Sequence, residues 1–180
     1  MNRIARASEL IGRPIITLDS ATAVAEVKDV LIDTQAARAI GFTLRGSGLL
    51  SGAMKGVLPA DALHAIGRDA VMIESAAAIT DSPESTNALL AEQDEMIGKE
   101  ALTASGASLG TVSDVILEIE GPAARVVGYE LAANNGNQVI VPVSENVPMS
   151  ADALIVPEDV SERATSGLAS FRGALERTRS

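Results

Sequence analysis

The chain has 180 residues and a net charge of −10, from 14 Lys plus Arg against 24 Asp plus Glu. It has no cysteine, which excludes disulfide scaffolds, thiolate zinc sites, iron–sulfur clusters and cysteine nucleophiles. Hydrophobic residues at 47% make a folding composition, while aromatics at 2% (Phe42, Tyr129, Phe171) leave little to stack on bases, so nucleic acid is a disfavoured partner.

The first residues, Met1 to Glu9, lack the apolar stretch of a signal peptide. No apolar run approaches the roughly 18 residues of a membrane span, so the expectation is a soluble cytoplasmic protein. The charge is unevenly placed. Arg163, Arg172, Arg177 and Arg179 against Glu176 leave residues 163–180 at +3 and the remainder at −13.

Taken in chain order, the sequence repeats itself. Ile11-Gly12-Arg13 and Thr17 recur as Ile97-Gly98-Lys99 and Thr103. Val27-Lys28-Asp29-Val30-Leu31 recurs as Val112-Ser113-Asp114-Val115-Ile116, and Arg38-Ala39-Ile40-Gly41-Phe42-Thr43-Leu44 as Arg125-Val126-Val127-Gly128-Tyr129-Glu130-Leu131. Pro59 and Asp69-Ala70-Val71 match Pro142 and Asp152-Ala153-Leu154. The offset drifts only between blocks, as a duplicated fold with loop insertions would drift.

Within each block the period is that of strands. Ile40, Phe42 and Leu44 alternate, as do Val127, Tyr129 and Leu131. Turn signals separate the runs at Asp19-Ser20, Ser105-Gly106, Gly121-Pro122 and Asn134-Asn135-Gly136-Asn137, the last favouring a tight hairpin. The spacing predicts a mostly β protein with a first small barrel over 1–75, a linker over 76–94, a second barrel over 95–157 and a helical tail over 158–180. Within the linker, 87–95 reads as a short helical turn. In the tail, Val160, Ala164, Leu168, Phe171 and Leu175 recur at helical spacing, with Gly167 and Gly173 weakening the helix. Two barrels this small have thin cores and are expected to pack on each other or to form homodimers.

These residues resemble the PRC-barrel domain twice over. The first copy carries Leu10-Ile11-Gly12-Arg13, Thr17, Val27 to Asp33, Gly41-Phe42, Leu58-Pro59 and Ile66-Gly67-Arg68-Asp69. The second carries Met96-Ile97-Gly98-Lys99, Gly110 to Val115, Gly128-Tyr129, Val141-Pro142 and Asp152-Ala153-Leu154. The resemblance implies two small, strongly bent β-barrels in tandem and a role in binding and assembly, with no catalytic residue to carry over. Such domains occur in the cytoplasmic part of the photosynthetic reaction-centre H subunit and at the C-terminus of a ribosome maturation factor. Two departures stand out: Ala23-Val24-Ala25 has no glycine where the second copy has Gly110, and Met149-Ser150-Ala151 replaces the Ile-Gly expected before Asp152.

Candidate chemistry is sparse. Asp29 and Asp114 occupy equivalent places, but one carboxylate per copy makes no cation cluster, and acceptance of backbone N–H bonds is the simpler role. Arg38 and Arg125 are the other repeated charges, read as structural pairs or solvated strand-start charges. His64 has no nucleophile elbow near it and reads as a surface or packing residue. Catalytic residues, metal ligands and cofactor sites are therefore none. The Gly-rich segment Gly46–Gly56 places Leu49, Leu50 and Met54 on a loop as candidate partner contacts. Leu168, Phe171, Arg172 and Leu175 on the tail are the others, although docking on the barrels competes with partner binding there.

The function expected is a non-enzymatic adaptor or assembly module binding a protein partner. The alternatives are a factor associated with ribosome or RNA maturation, and a membrane-peripheral partner of an electron-transfer or cell-division complex that touches the membrane through the tail.

Overall fold

The computed structural model describes residues 2–46, 56–80, 90–143 and 152–179. Along the chain run β1 (Arg3–Arg6), β2 (Pro14–Thr17), β3 (Ala23–Asp33), β4 (Arg38–Arg45), β5 (Val57–Pro59), β6 (Leu63–Ile66), β7 (Val71–Ile73) and β8 (Leu90–Glu92). Then follow α1 (Gln93–Met96), β9 (Glu100–Thr103), β10 (Ser108–Glu120), β11 (Ala123–Ala132), β12 (Gln138–Pro142), β13 (Ala153–Val156), α2 (Glu158–Ser161) and α3 (Leu168–Arg179).

The two copies fold alike because they share the same pattern of β-branched residues and turns. In the first, β2 lies between β3 and a parallel β7, with Ile15 opposite Val71. In the second, β9 lies between β10 and a parallel β13, with Ala101 opposite Leu154. The hairpins β3–β4 and β10–β11 bulge at matching places, between Val27 and Asp29 and between Val112 and Asp114. Bulges increase local twist and bend long strands, which lets each sheet curl on itself. Asn134-Asn135-Gly136-Asn137 forms the expected hairpin, with Gly136 at φ +83°.

One arrangement lay outside the sequence pattern. Each copy hands its leading strand to the other. β1 pairs antiparallel with β10, Ala5 opposite Leu117, and β8 pairs antiparallel with β3, Ala91 opposite Ile32. β4 and β11 also meet antiparallel at the equivalent residues Arg38 and Arg125. The Val126 N–H donates to the Ala37 carbonyl at 2.7 Å beside that meeting point. The copies are therefore related by an approximate two-fold axis, and their strands form one continuous sheet.

The core follows from this topology. A single cluster of buried residues runs from Leu10, Ile15 and Phe42 in the first copy to Val115, Tyr129 and Leu154 in the second. Phe42 and Tyr129 fill matching positions, both buried.

The linker and tail differ from their sequence reading. Thr80 bridges to Val57 of the first copy, and the turn expected over 87–95 is strand β8 followed by α1 in the part described. The tail is not one helix. It is α2 and α3, separated where Thr165 bridges to Ile140 and Gly167 takes φ +81°. That backbone conformation is costly for any other residue and ends the helical spacing read from Val160 to Leu175.

A shared core and exchanged strands make the copies one folding unit. Chemical denaturation followed both by far-UV circular dichroism and by the signal of Tyr129 is expected to give one coincident transition. Two separated transitions would mean that the copies unfold independently.

Candidate functional site

The buried carboxylates are the first place to look for chemistry, and each is committed to structure. Asp29 Oδ1 accepts the Val30 N–H at 2.7 Å, and Asp114 Oδ1 accepts the Val115 N–H at 2.8 Å. Each carboxylate follows a bulge, where the ladder leaves a main-chain donor to be satisfied.

In the second copy Asp114 also reaches the exchanged segment. It accepts the Ser8 N–H at 3.2 Å and the Ser8 hydroxyl, so it grips the segment that follows β1. Glu130, whose side chain is only 7% exposed, takes a bidentate pair from Arg6: Nε to Oε2 at 2.8 Å and Nη2 to Oε1 at 2.6 Å. This contact raises the pKa of Arg6. Glu118 accepts Asn2 Nδ2 at 3.3 Å and Arg125 Nη2 at 2.6 Å. Three buried acids thus hold the exchanged N-terminal strand. Arg125 finds its partner in Glu118 rather than Asp114, and Arg38 is solvent-exposed.

Sequence reasoning missed Arg6, Glu118 and Glu130. A signal was present. The repeat aligns Glu130 with Thr43, so a carboxylate appears at a mid-strand position where the first copy carries a neutral residue, whereas Glu118 aligns with Asp33 and gave no such contrast.

The tail residues have two fates. Phe171 is buried at 2% exposure with Ile4, Ile116, Val127 and Ile140, on the outer face of the second copy and of the strand it received. A Cβ at Gly128 would lie 2.9 Å from Phe171 Cζ and 2.8 Å from the Val141 carbonyl, so the glycine is the seat for the ring. Leu168 and Leu175 flank it half-buried, and Arg172 is exposed. As an exposed partner anchor Phe171 is therefore corrected: the ring is spent inside the chain, because its apolar stripe matches the face left bare by β1 and β10. Upstream, Glu158 accepts the Ala104 and Ser105 N–H groups, both at 3.2 Å. The Ser105 hydroxyl above all, with these N–H groups, holds its carboxyl below the ordinary range.

Leu49, Leu50 and Met54 lie outside the described residues. His64 is at the surface, with Nδ1 3.0 Å from Glu74 Oε1. Among the described residues no three His, Asp or Glu side chains gather to hold a metal, and no helix is long and apolar enough to cross a membrane.

Comparison with known families agrees with this geometry. The model of the PRC-barrel domain matches twice, over residues 3–85 and 91–163. The first match takes in all of the exchanged β1, and the second begins within its counterpart β8. No curated protein matches the chain.

Two outcomes follow. Phe171→Ala is expected to cost about 3 kcal/mol and to open the α3 amides to hydrogen exchange before those of β3; unchanged α3 protection would place the docking energy elsewhere. Burial pushes the Tyr129 phenol up from 10.0 to about 12. Its folded pKa exceeds its unfolded one, so its contribution is level below about pH 10 and is lost as pH rises towards about 12. Denaturation midpoints of wild type and Tyr129→Phe across this range should diverge; parallel curves would exclude a buried phenol.

Proposed function

The chain belongs to the PRC-barrel family, and on that premise we propose that it is a non-enzymatic adaptor that binds a protein partner and helps to assemble or stabilise a larger complex. PRC-barrel domains are protein-interaction modules. The observation that carries the reading is how the buried acids are used. Asp114, Glu118 and Glu130 are all engaged with main chain or with the exchanged strand. In an active site a buried carboxylate faces a cleft with its lone pairs available to substrate.

The partner surface in this reading is the exposed side of α3 at Arg172 with the half-buried edges of Leu168 and Leu175 that border the Phe171 patch, and the segment holding Leu49, Leu50 and Met54 is a second proposed contact. Self-association into a homodimer through these residues belongs to the same reading. Phe171 supports the surface from beneath instead of touching the partner.

Photo-reactive residues placed at Arg172, Leu175 and Leu49 of the full chain test this in the cells that make it. The expected result is a discrete cross-linked partner, or a cross-linked dimer, at two or more positions and none at His64 on the opposite repeat. Equal, diffuse labelling at all four positions would contradict the surface. Saturable turnover of a small substrate, abolished by a polar substitution, would contradict the adaptor.

A further inference from the structure

The seam between the copies carries a second charged cluster, whose Arg3 and Arg13 guanidiniums meet main-chain carbonyls but no carboxylate ion pair among the described residues. Arg3 lies on the exchanged strand β1, and Arg13 precedes β2. Arg3 Nη2 donates to the Gly67 carbonyl at 3.2 Å, Arg13 Nη1 donates to the same oxygen, and Arg13 Nε donates to the Glu9 carbonyl at 2.8 Å. The loop that presents Gly67 also carries Arg68, which is exposed and close enough to repel Arg3. The Ile66 N–H donates to the Gly121 carbonyl at 2.9 Å and ties this loop to the β10–β11 turn.

Three guanidiniums gathered on a chain of net charge −10 call for an explanation. None of the ion pairs within 4.0 Å among the described residues includes Arg3, Arg13 or Arg68. Burial, and repulsion within the cluster, hold the Arg3 and Arg13 pKa values down. Glu9 and Asp69 offset part of the repulsion, but Glu9 is drawn to Arg6 at 3.7 Å. Like charges held together and half-desolvated are costly unless an anion completes them.

We propose that Arg3, Arg13 and Arg68 form a docking point for a carboxylate-bearing segment of the protein partner. The inference rests on the adaptor reading and names the partner's chemistry. The planar fork of arginine matches a carboxylate with two parallel hydrogen bonds. Counting Glu9 and Asp69, the cluster carries a net charge of +1, which suits a single carboxylate better than a dianionic phosphate. The cluster exists only because β1 is exchanged, since Arg3 reaches Gly67 from a strand laid on the second copy. It is also unique to one side of the two-fold. The repeat aligns Arg3, Arg13 and Arg68 with Leu89, Lys99 and Ala151, so the near-symmetric chain offers one such point.

The test titrates the isotopically labelled full chain with a hexaglutamate peptide, a hexaglutamine peptide and inorganic phosphate, following arginine Nε–H signals and the Gly67 and Arg68 amides. Hexaglutamate is expected to shift these signals saturably, and Arg68→Gln, an exposed change, to weaken binding roughly tenfold. Arg163→Gln, remote on the tail, should leave it unchanged, and hexaglutamine should not bind. Equal binding by Arg68→Gln, or phosphate binding more tightly than the peptide, would overturn the proposal. So would the absence of any shift, while a partner cross-linked at α3 would still uphold the adaptor reading.

Discussion

The structure depends on the exchange of leading strands, and for β1 a half-buried ion pair fixes that exchange. Arg6 reaches across the seam to Glu130 with two hydrogen bonds of 2.8 and 2.6 Å. A buried carboxylate without its partner is strongly destabilising, so the pair selects the register in which Arg6 faces Glu130 and rejects slipped ones. With that register set, Ile4 and Ala5 point to opposite faces of β1. Ala5 joins the shared core, and Ile4 joins the patch under Phe171.

The tail follows from the same constraint. The outer face that α3 covers is made partly of β10, β11 and β12 and partly of the borrowed β1. Without β1 that face would lose Ile4, and the ring of Phe171 would keep its seat at Gly128 but lose one wall. N-terminal strand, second repeat and C-terminal helix therefore stabilise one another. β1 and α3 meet on one repeat, and the approximate two-fold symmetry is broken there. The Arg3–Arg13–Arg68 cluster breaks it again at the seam. Such asymmetry distinguishes two otherwise similar faces.

Much of this was legible in the residues. Alternation at Ile40-Phe42-Leu44 and Val127-Tyr129-Leu131 marked paired strands, because a strand with one buried face repeats with period two. Asn135-Gly136 marked its hairpin through the φ that glycine permits. The repeated Asp29 and Asp114 proved to be main-chain acceptors, as their isolation suggested. The exchange was not legible. β1 and β8 are short, and their pairing partners lie more than a hundred and about sixty positions away, set by tertiary packing that local pattern does not encode. The broken tail was hidden for a related reason. Helical spacing continues through Thr165, but a bridge to Ile140 competes with the helix and Gly167 lets the chain turn out of it.

The central claim is that the exchanged strand makes the two repeats one cooperative unit. Native-state hydrogen exchange on Arg6→Ala tests it most directly. The account expects protection in β10, which receives β1, and in β3, on the other repeat, to fall together by about 2 kcal/mol. A loss confined to β1 and β10, with β3 unchanged, would contradict it.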